Sequence, residues 1–358
     1  MNTKHLKVMS AAILGAAIVA STHTASARDL VIIGWGGATG DAMMKALVEP
    51  FAKANGVTVK MDNYSGGLAQ VKAQVEAKNV MWDVLDSDIP EADNGCNENL
   101  LEEIPIAELA PAPDGTPAKD DFLTDTFAEC GVGNYVYSLV LAYDPKHFKN
   151  GMPTKVIDVF DIKSFPGKRG LRKRPRANLE WALMADGVPM DQVYKVLATK
   201  AGVDRAFKKL SSIKDHVVWY SSSAQAPQLL ADGEVIMTSA FNARLHTAII
   251  KENQPFKLVW DGQIWATGAW IIPKGSPNRD LALKFVKYAT TPKAMGAFTS
   301  LYPYGPTRVS ANQYVDAKVS DLLPTSKKHF AKALKRSDEF WADYRDELNE
   351  RFSSWLAK

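Results

Sequence analysis

From Leu30 onward the chain switches repeatedly between short apolar runs of strand type and longer stretches with helical spacing, and this alternation constrains its fold more than any other feature. Leu30–Ile33 is an unbroken apolar run and Gly34–Gly40 a glycine-rich turn. Asp41–Asn55 then spaces Met43, Met44, Leu47, Val48 and Phe51 at helical intervals until Gly56 stops it. Val57–Met61 alternates as a second strand, Leu68, Val71 and Val75 mark a second helix, and Val80–Leu85 reads as a third strand. Parallel strands need crossovers of helical length, so this order predicts βαβ units and an α/β class. A long apolar strand, Gly131–Tyr143, follows proline- and glycine-rich loops. Beyond it a second α/β run is expected, with strands at Val217–Tyr220, Val235–Ala240, Lys257–Trp260 and Ile264–Ile272. At 358 residues the chain is long enough for two domains, each with its own core.

The first 27 residues stand apart. Lys4 and Lys7 precede a mostly apolar run from Val8 to Ala20, and small residues ending in Ala25-Ser26-Ala27 follow it. This is the pattern of a secretory signal peptide cut before Arg28. The apolar run is too short to span a bilayer as a stable helix, and no cysteine follows the cut to carry a lipid. The mature chain is therefore expected to be soluble and periplasmic. Forty-three basic residues stand against forty acidic ones, spread along the chain, which leaves no electrostatic footprint for nucleic acid. Export also places Cys96 and Cys130 in an oxidising compartment, where a disulfide is the simplest reading and a metal pair lacks further ligands nearby. Closing that loop contributes roughly 3–4 kcal/mol by the chain-entropy estimate. At the other end, Phe340, Trp341, Tyr344, Leu348, Phe352 and Trp355 form one stripe of a terminal helix over Asp338–Leu356, expected to pack into a core.

No GxSxG, HExxH, P-loop or CxxC motif occurs. The turn Gly34-Trp35-Gly36-Gly37-Ala38-Thr39-Gly40 brushes against the dinucleotide fingerprint, but Gly40 stands four residues after Gly36 where the fingerprint needs three. What survives is a ligand cradle: backbone N–H groups at a helix N-terminus with an aromatic side chain to stack on a solute. Lys168–Arg176 packs six basic residues into nine positions and reads as a solvated face. His147, His216, His246 and His329 lack metal-ligand spacing and read as surface or capping residues. Arg244 is different. It opens a helix just after the strand Val235–Ala240, where open α/β sheets place their sites, and a guanidinium there can hold a carboxylate bidentately.

An exported α/β chain with a Trp-Gly-Gly turn after its first strand resembles the periplasmic solute-binding proteins of ABC importers, in particular the spermidine/putrescine-type branch. The matching segments run in order along the mature chain: Ile33–Gly37, Trp82–Asp86, Glu129–Val132 with Val136–Ser138, Asn178–Leu183, Leu230–Val235 and Ile271–Gly275. The resemblance implies two lobes, each a mostly parallel sheet flanked by helices, joined by crossing hinge strands with the solute cleft between them. The first lobe would comprise residues 28–138 plus 266–318, and the second 139–265 plus 319–358. It further implies a monomer without cofactor or catalysis that hands its small-molecule solute to a membrane permease and its ATPase. A sensor of the same fold and a secreted α/β hydrolase are the alternatives.

The ligand-contacting residues it points to are Trp35, Gly36, Gly37 and Thr39 in the turn, Asp86, Ser87 and Asp88 at the third strand, Tyr137 and Ser138, Glu180, Phe241, Asn242 and Arg244, and Gly268. Polyamine binders clamp ammonium groups with carboxylates and aromatic walls. This chain carries Ala266-Thr267-Gly268, Arg174 and Ala177 where such relatives place acids. The expected solute therefore shifts from a dication to an amine bearing a carboxylate, such as a γ-aminobutyrate-like or opine-like compound, with Asp86, Asp88 and Glu180 as amine partners.

Overall fold

The computed structural model describes residues 28–149 and 151–358; the leader expected over residues 1–27 lies outside them. Among the described residues no helix is long and apolar enough to cross a membrane. Strand β1 (Leu30–Gly34) pairs in parallel with β2 (Val59–Asn63) and β3 (Val84–Asp88). The helical crossover after β1 runs through Gly37–Met43, a π turn at Met44–Val48 and Glu49–Asn55, and Gly56 closes it at φ 62°. β3 begins later than the apolar pattern predicts because the preceding backbone is bonded elsewhere. The Met81 and Trp82 N–H groups donate to the Gln74 side chain at 2.9 and 3.2 Å. The buried Asp83 carboxylate accepts from the Val31 N–H at 2.8 Å, the Arg28 guanidinium at 2.7 Å and the Ser276 hydroxyl at 2.6 Å.

Two long strands bind the halves of the molecule into one sheet. β4 (Gly131–Tyr143) carries β7 (Met237–Phe241) on one side, which pairs in turn with β5 (Arg169–Arg172) and through it with β6 (Val217–Tyr220). On its other side β4 meets β8 (Lys257–Ile271), giving the order β2-β1-β3-β8-β4-β7-β5-β6. Within each half the strands are parallel, and the joining pairs are antiparallel. β8 replaces the two strands expected at Lys257–Trp260 and Ile264–Ile272. Gly262, at φ 89°, lets the backbone shift register opposite Leu139 and Leu141 without ending the strand.

Both faces of each half-sheet are covered, as continuous apolar parallel strands require. Leu30 and Ile32 pack with Trp270, Phe285 and Phe298, and Ile33, Leu85 and Ile271 pack on the opposite face with Leu101. In the other half Leu171, Trp181 and Leu183 gather the stripe of the C-terminal helix (Asp338–Ala357), while Val140, Tyr220, Leu230 and Leu245 cover the second face. Cys96 and Cys130 form the expected disulfide, with Cα atoms 5.5 Å apart.

His147 and His216 are exposed as expected, but His246 and His329 are buried. His246 is 2 % exposed, and neither ring nitrogen has a partner within hydrogen-bond geometry. Burial pushes it down to about 4, opposed only weakly by the nearby Leu322 backbone. Below the unfolded value of roughly 6.5 the unfolded chain takes up a proton that the native state refuses, so stability falls as pH drops from there toward 4, by about 1.4 kcal/mol per pH unit. Between pH 7 and 5 a His246→Leu variant is expected to lose about 2 kcal/mol less stability in urea denaturation than the parent. Equal losses in the two proteins would exclude this account.

Candidate functional site

The C-terminal ends of β1, β3, β5 and β7 converge on a cleft whose floor is crossed by β4 and β8, the position at which open α/β sheets bind ligands. Two contiguous cavities of about 420 and 320 Å³ make up the cleft and share Trp35, Ser65, Asp88, Tyr137, Arg172, Arg174 and Phe241. Trp35 stands at the end of β1, 39 % exposed, with its ring 5.1 Å from that of Tyr64. On the floor, the Tyr137 hydroxyl donates to Asp88 at 2.8 Å and accepts from Arg336 at 2.6 Å. Arg336 also reaches Asp88 at 3.3 Å and pairs with Asp338. Burial opposes its charge, but Tyr137, Asp88 and Asp338 outweigh it and hold the guanidinium above its ordinary range.

The facing wall is basic. The Arg172 guanidinium lies over the Phe241 ring at 5.5 Å, and that of Arg176 over the Trp341 ring at 5.4 Å. Arg244, in the first turn of the helix Asn242–Lys251, lines the same cleft beside Tyr304 and Ser223. The loop bearing Arg174 and Arg176 turns inward at Ala177, which holds φ 71°. This is a strained conformation for alanine, kept because the fully buried Glu180 carboxylate accepts the Ala177 N–H at 2.7 Å. The same carboxylate accepts the Trp341 indole N–H at 2.8 Å, so one side chain fixes both the loop and the C-terminal helix.

Of the residues expected to touch ligand, the structure brings Trp35, Thr39, Asp88, Tyr137, Phe241 and Arg244 to the cleft. The others have different surroundings. Gly36 and Gly37 shape the turn: Gly36 sits at φ 66°, and an added Cβ would stand 2.8 Å from the Asn63 side chain. Asp86 lies fully buried beneath the floor, bonded by Asn134 at 2.7 Å and Tyr135 at 2.8 Å. Burial, partly offset by these bonds, pushes its carboxyl up to about 8, which leaves it neutral at pH 7 and unsuited to anchor an amine. Ser87 is buried beside it. Asn242 ties its helix to the sheet, accepting the Ser138 N–H at 3.0 Å and donating to the Pro303 carbonyl at 2.7 Å. Ser138 is itself buried and donates to the Ile264 carbonyl at 3.1 Å. Glu180 is the positioning group just described rather than an amine partner. Gly268 is buried in β8 opposite Asp88, where a Cβ would meet Asn134 Oδ1 at 2.5 Å.

The basic run, read as a solvated face, is another correction. Arg169 is fully buried and donates to the Val159 and Asp161 carbonyls at 3.0 Å each, while Arg172, Arg174 and Arg176 line the cleft. The C-terminal segment adds Arg336, Trp341 and Arg345, which sequence reasoning missed. For the basic run the available signal was Pro175, a chain-turning residue that follows a strand; nothing in the sequence marked the C-terminal three. Together the walls present six guanidiniums, Arg172, Arg174, Arg176, Arg244, Arg336 and Arg345, against the carboxylates of Asp88 and Glu91. Burial first, and neighbouring arginines second, push the guanidiniums of Arg172 and Arg176 below their ordinary range. Such a cleft attracts an anion and offers one acidic corner for an amine.

A family model described as bacterial extracellular solute-binding protein matches residues 46–328. The chain is 40% identical over 339 residues to the γ-aminobutyric acid-binding protein of Pseudomonas aeruginosa, covering 95% of this chain and 94% of that one. The structure of the Atu4243 GABA receptor superposes with a TM-score of 0.80 at 32% identity, over 92% of this chain and 98% of the other. The periplasmic binding protein MotA of Agrobacterium tumefaciens, in complex with glucopine, superposes with a TM-score of 0.79 at 28% identity, over 92% of this chain and all of the other.

Proposed function

Because the chain belongs to the bacterial extracellular solute-binding protein family, we propose that it is the binding component of an ABC importer and captures an amine that bears a carboxylate, of the γ-aminobutyrate or opine class. The observation that carries this reading is that Arg244 and Asp88 line one cavity, with an excess of guanidiniums around both. Arg244 takes the carboxylate bidentately and the Asp88 corner takes the amine. The names of two relatives point the same way: one binds γ-aminobutyrate and another was crystallised with an opine. A polyamine dication fits poorly, since six guanidiniums outnumber the two carboxylates in the same cleft.

In this reading residues 28–138 plus 266–318 form one lobe and 139–265 plus 319–358 the other. The solute contacts both, so only the closed form gains the full interaction. The protein works as an exported monomer without catalysis and passes its solute to a membrane permease and its ATPase. A thermal-shift comparison of γ-aminobutyrate with putrescine tests the reading. A ligand at a thousand times its dissociation constant adds about 4 kcal/mol, which raises the melting temperature by several degrees. γ-Aminobutyrate is expected to give that shift and putrescine none; the reverse result would restore the polyamine label.

A further inference from the structure

The charge of the cleft exceeds what a zwitterion can balance. A solute with one amine and one carboxylate is neutral and, with Arg336 paired to Asp338, leaves five guanidiniums facing two carboxylates. The excess is also unevenly placed. Arg244 lines only the smaller cavity, whereas Arg176 and Arg345 line only the larger, where the Arg176 guanidinium covers the buried Trp341 ring. Arg172 and Arg176 form no salt bridge among the described residues, and the Arg172 Nε is buried without a partner. Each guanidinium lies over an aromatic ring, 5.5 and 5.4 Å from the centroids, a contact that occupies no N–H with an acceptor. A buried cation without a counter-charge is costly, and an anion between these groups would relieve that cost.

Resting on the solute class proposed above, we propose that the larger cavity is a second anion subsite built on Arg176 and Arg172, and that the preferred solute is an amino-acid conjugate carrying two carboxylates. One carboxylate meets Arg244, the amine meets Asp88, and the second carboxylate reaches past Tyr137 to the Arg176 edge. The lower pKa of both guanidiniums, caused by burial and by their basic neighbours, agrees with a site short of negative charge.

A matched pair of ligands isolates the added group: N-methyl-γ-aminobutyrate and N-carboxymethyl-γ-aminobutyrate are secondary amines with the same first carboxylate, and only the latter carries a second; γ-aminobutyrate itself is the reference for basal binding. Titration calorimetry on the mature protein is expected to show the dicarboxylate binding at least tenfold more tightly. Arg176→Gln should erase that gain, leaving the dicarboxylate no tighter than the monocarboxylate, and Arg176→Lys should restore part of it. Melting curves of the unliganded variants check that each is folded, and the parent's preference between the two ligands stands as a test even if neither variant folds. If γ-aminobutyrate binds and the second carboxylate gains nothing, or if the gain survives in Arg176→Gln, the second subsite is refuted and the one-carboxylate reading stands. If none of the three compounds binds, both readings fall.

Discussion

Arg244→Ala is expected to weaken binding of a carboxylate-bearing solute by well over tenfold. Truncating one partner of a desolvated charge pair costs about 2–5 kcal/mol, which corresponds to roughly 30-fold to several thousand-fold in dissociation constant. The unliganded fold should be little changed. Arg244 is half-buried and makes no salt bridge among the described residues, so its removal strands no acceptor in the protein. Calorimetric titration with γ-aminobutyrate, paired with a melting curve of the free variant, separates the two effects. Parent-like affinity in a folded Arg244→Ala protein would remove Arg244 from the site.

The second large effect lies on the floor of the cleft. From sequence alone, Gly268→Asp looks like a way to give back the acid that polyamine binders carry. The structure reverses that expectation. An added Cβ would stand 2.5 Å from Asn134 Oδ1 and 3.0 to 3.1 Å from the Tyr135 ring, and both of those residues hold the buried Asp86. A carboxyl attached there has no room, and it would be a second acid in a region that already keeps Asp86 neutral. Overpacking costs about 1–3 kcal/mol and an unpaired buried polar group about as much again, so Gly268→Asp should destabilise the protein by about 3–5 kcal/mol. Urea denaturation measures this directly. A variant with the parent's midpoint and new putrescine affinity would show that Gly268 faces the cleft.

The parts of the fold that sequence reveals are those where burial leaves a simple pattern. Gly131–Tyr143 reads as one strand to the residue because it is a mostly apolar run, interrupted only by Asn134 and Ser138 and covered on both faces. The glycine turn and Arg244 are legible because both sit at the C-terminal end of a strand, a position that topology alone marks as a site. The basic run defeats composition: Arg169 turns inward to backbone carbonyls, and Ala177 at φ 71° swings the next arginines into the cleft. Hydrophobic periodicity reports that Trp341 is covered without reporting by what. Its indole is 1 % exposed, packed in the core and capped by the Arg176 guanidinium. Asp86 and Glu180 mislead for a related reason. Their acids are conspicuous in sequence, yet each is occupied by donors from distant segments, Tyr135 for the one and Trp341 for the other.

The packing of β1 has a consequence for how such a chain is made. The core around Leu30 and Ile32 is completed by Trp270, Phe285 and Phe298, which are supplied by the last third of the polypeptide. A ribosome must therefore deliver most of the chain before the first-made strand can be covered. Contacts so distant in sequence slow folding, because loop closure must precede the gain from pairing. During synthesis the N-terminal segment can collapse only onto its own crossover residues, Met43, Leu47 and Phe51, and that half-built core waits for the last third of the chain. Non-local topology of this kind postpones native packing of the first strand until translation is nearly complete.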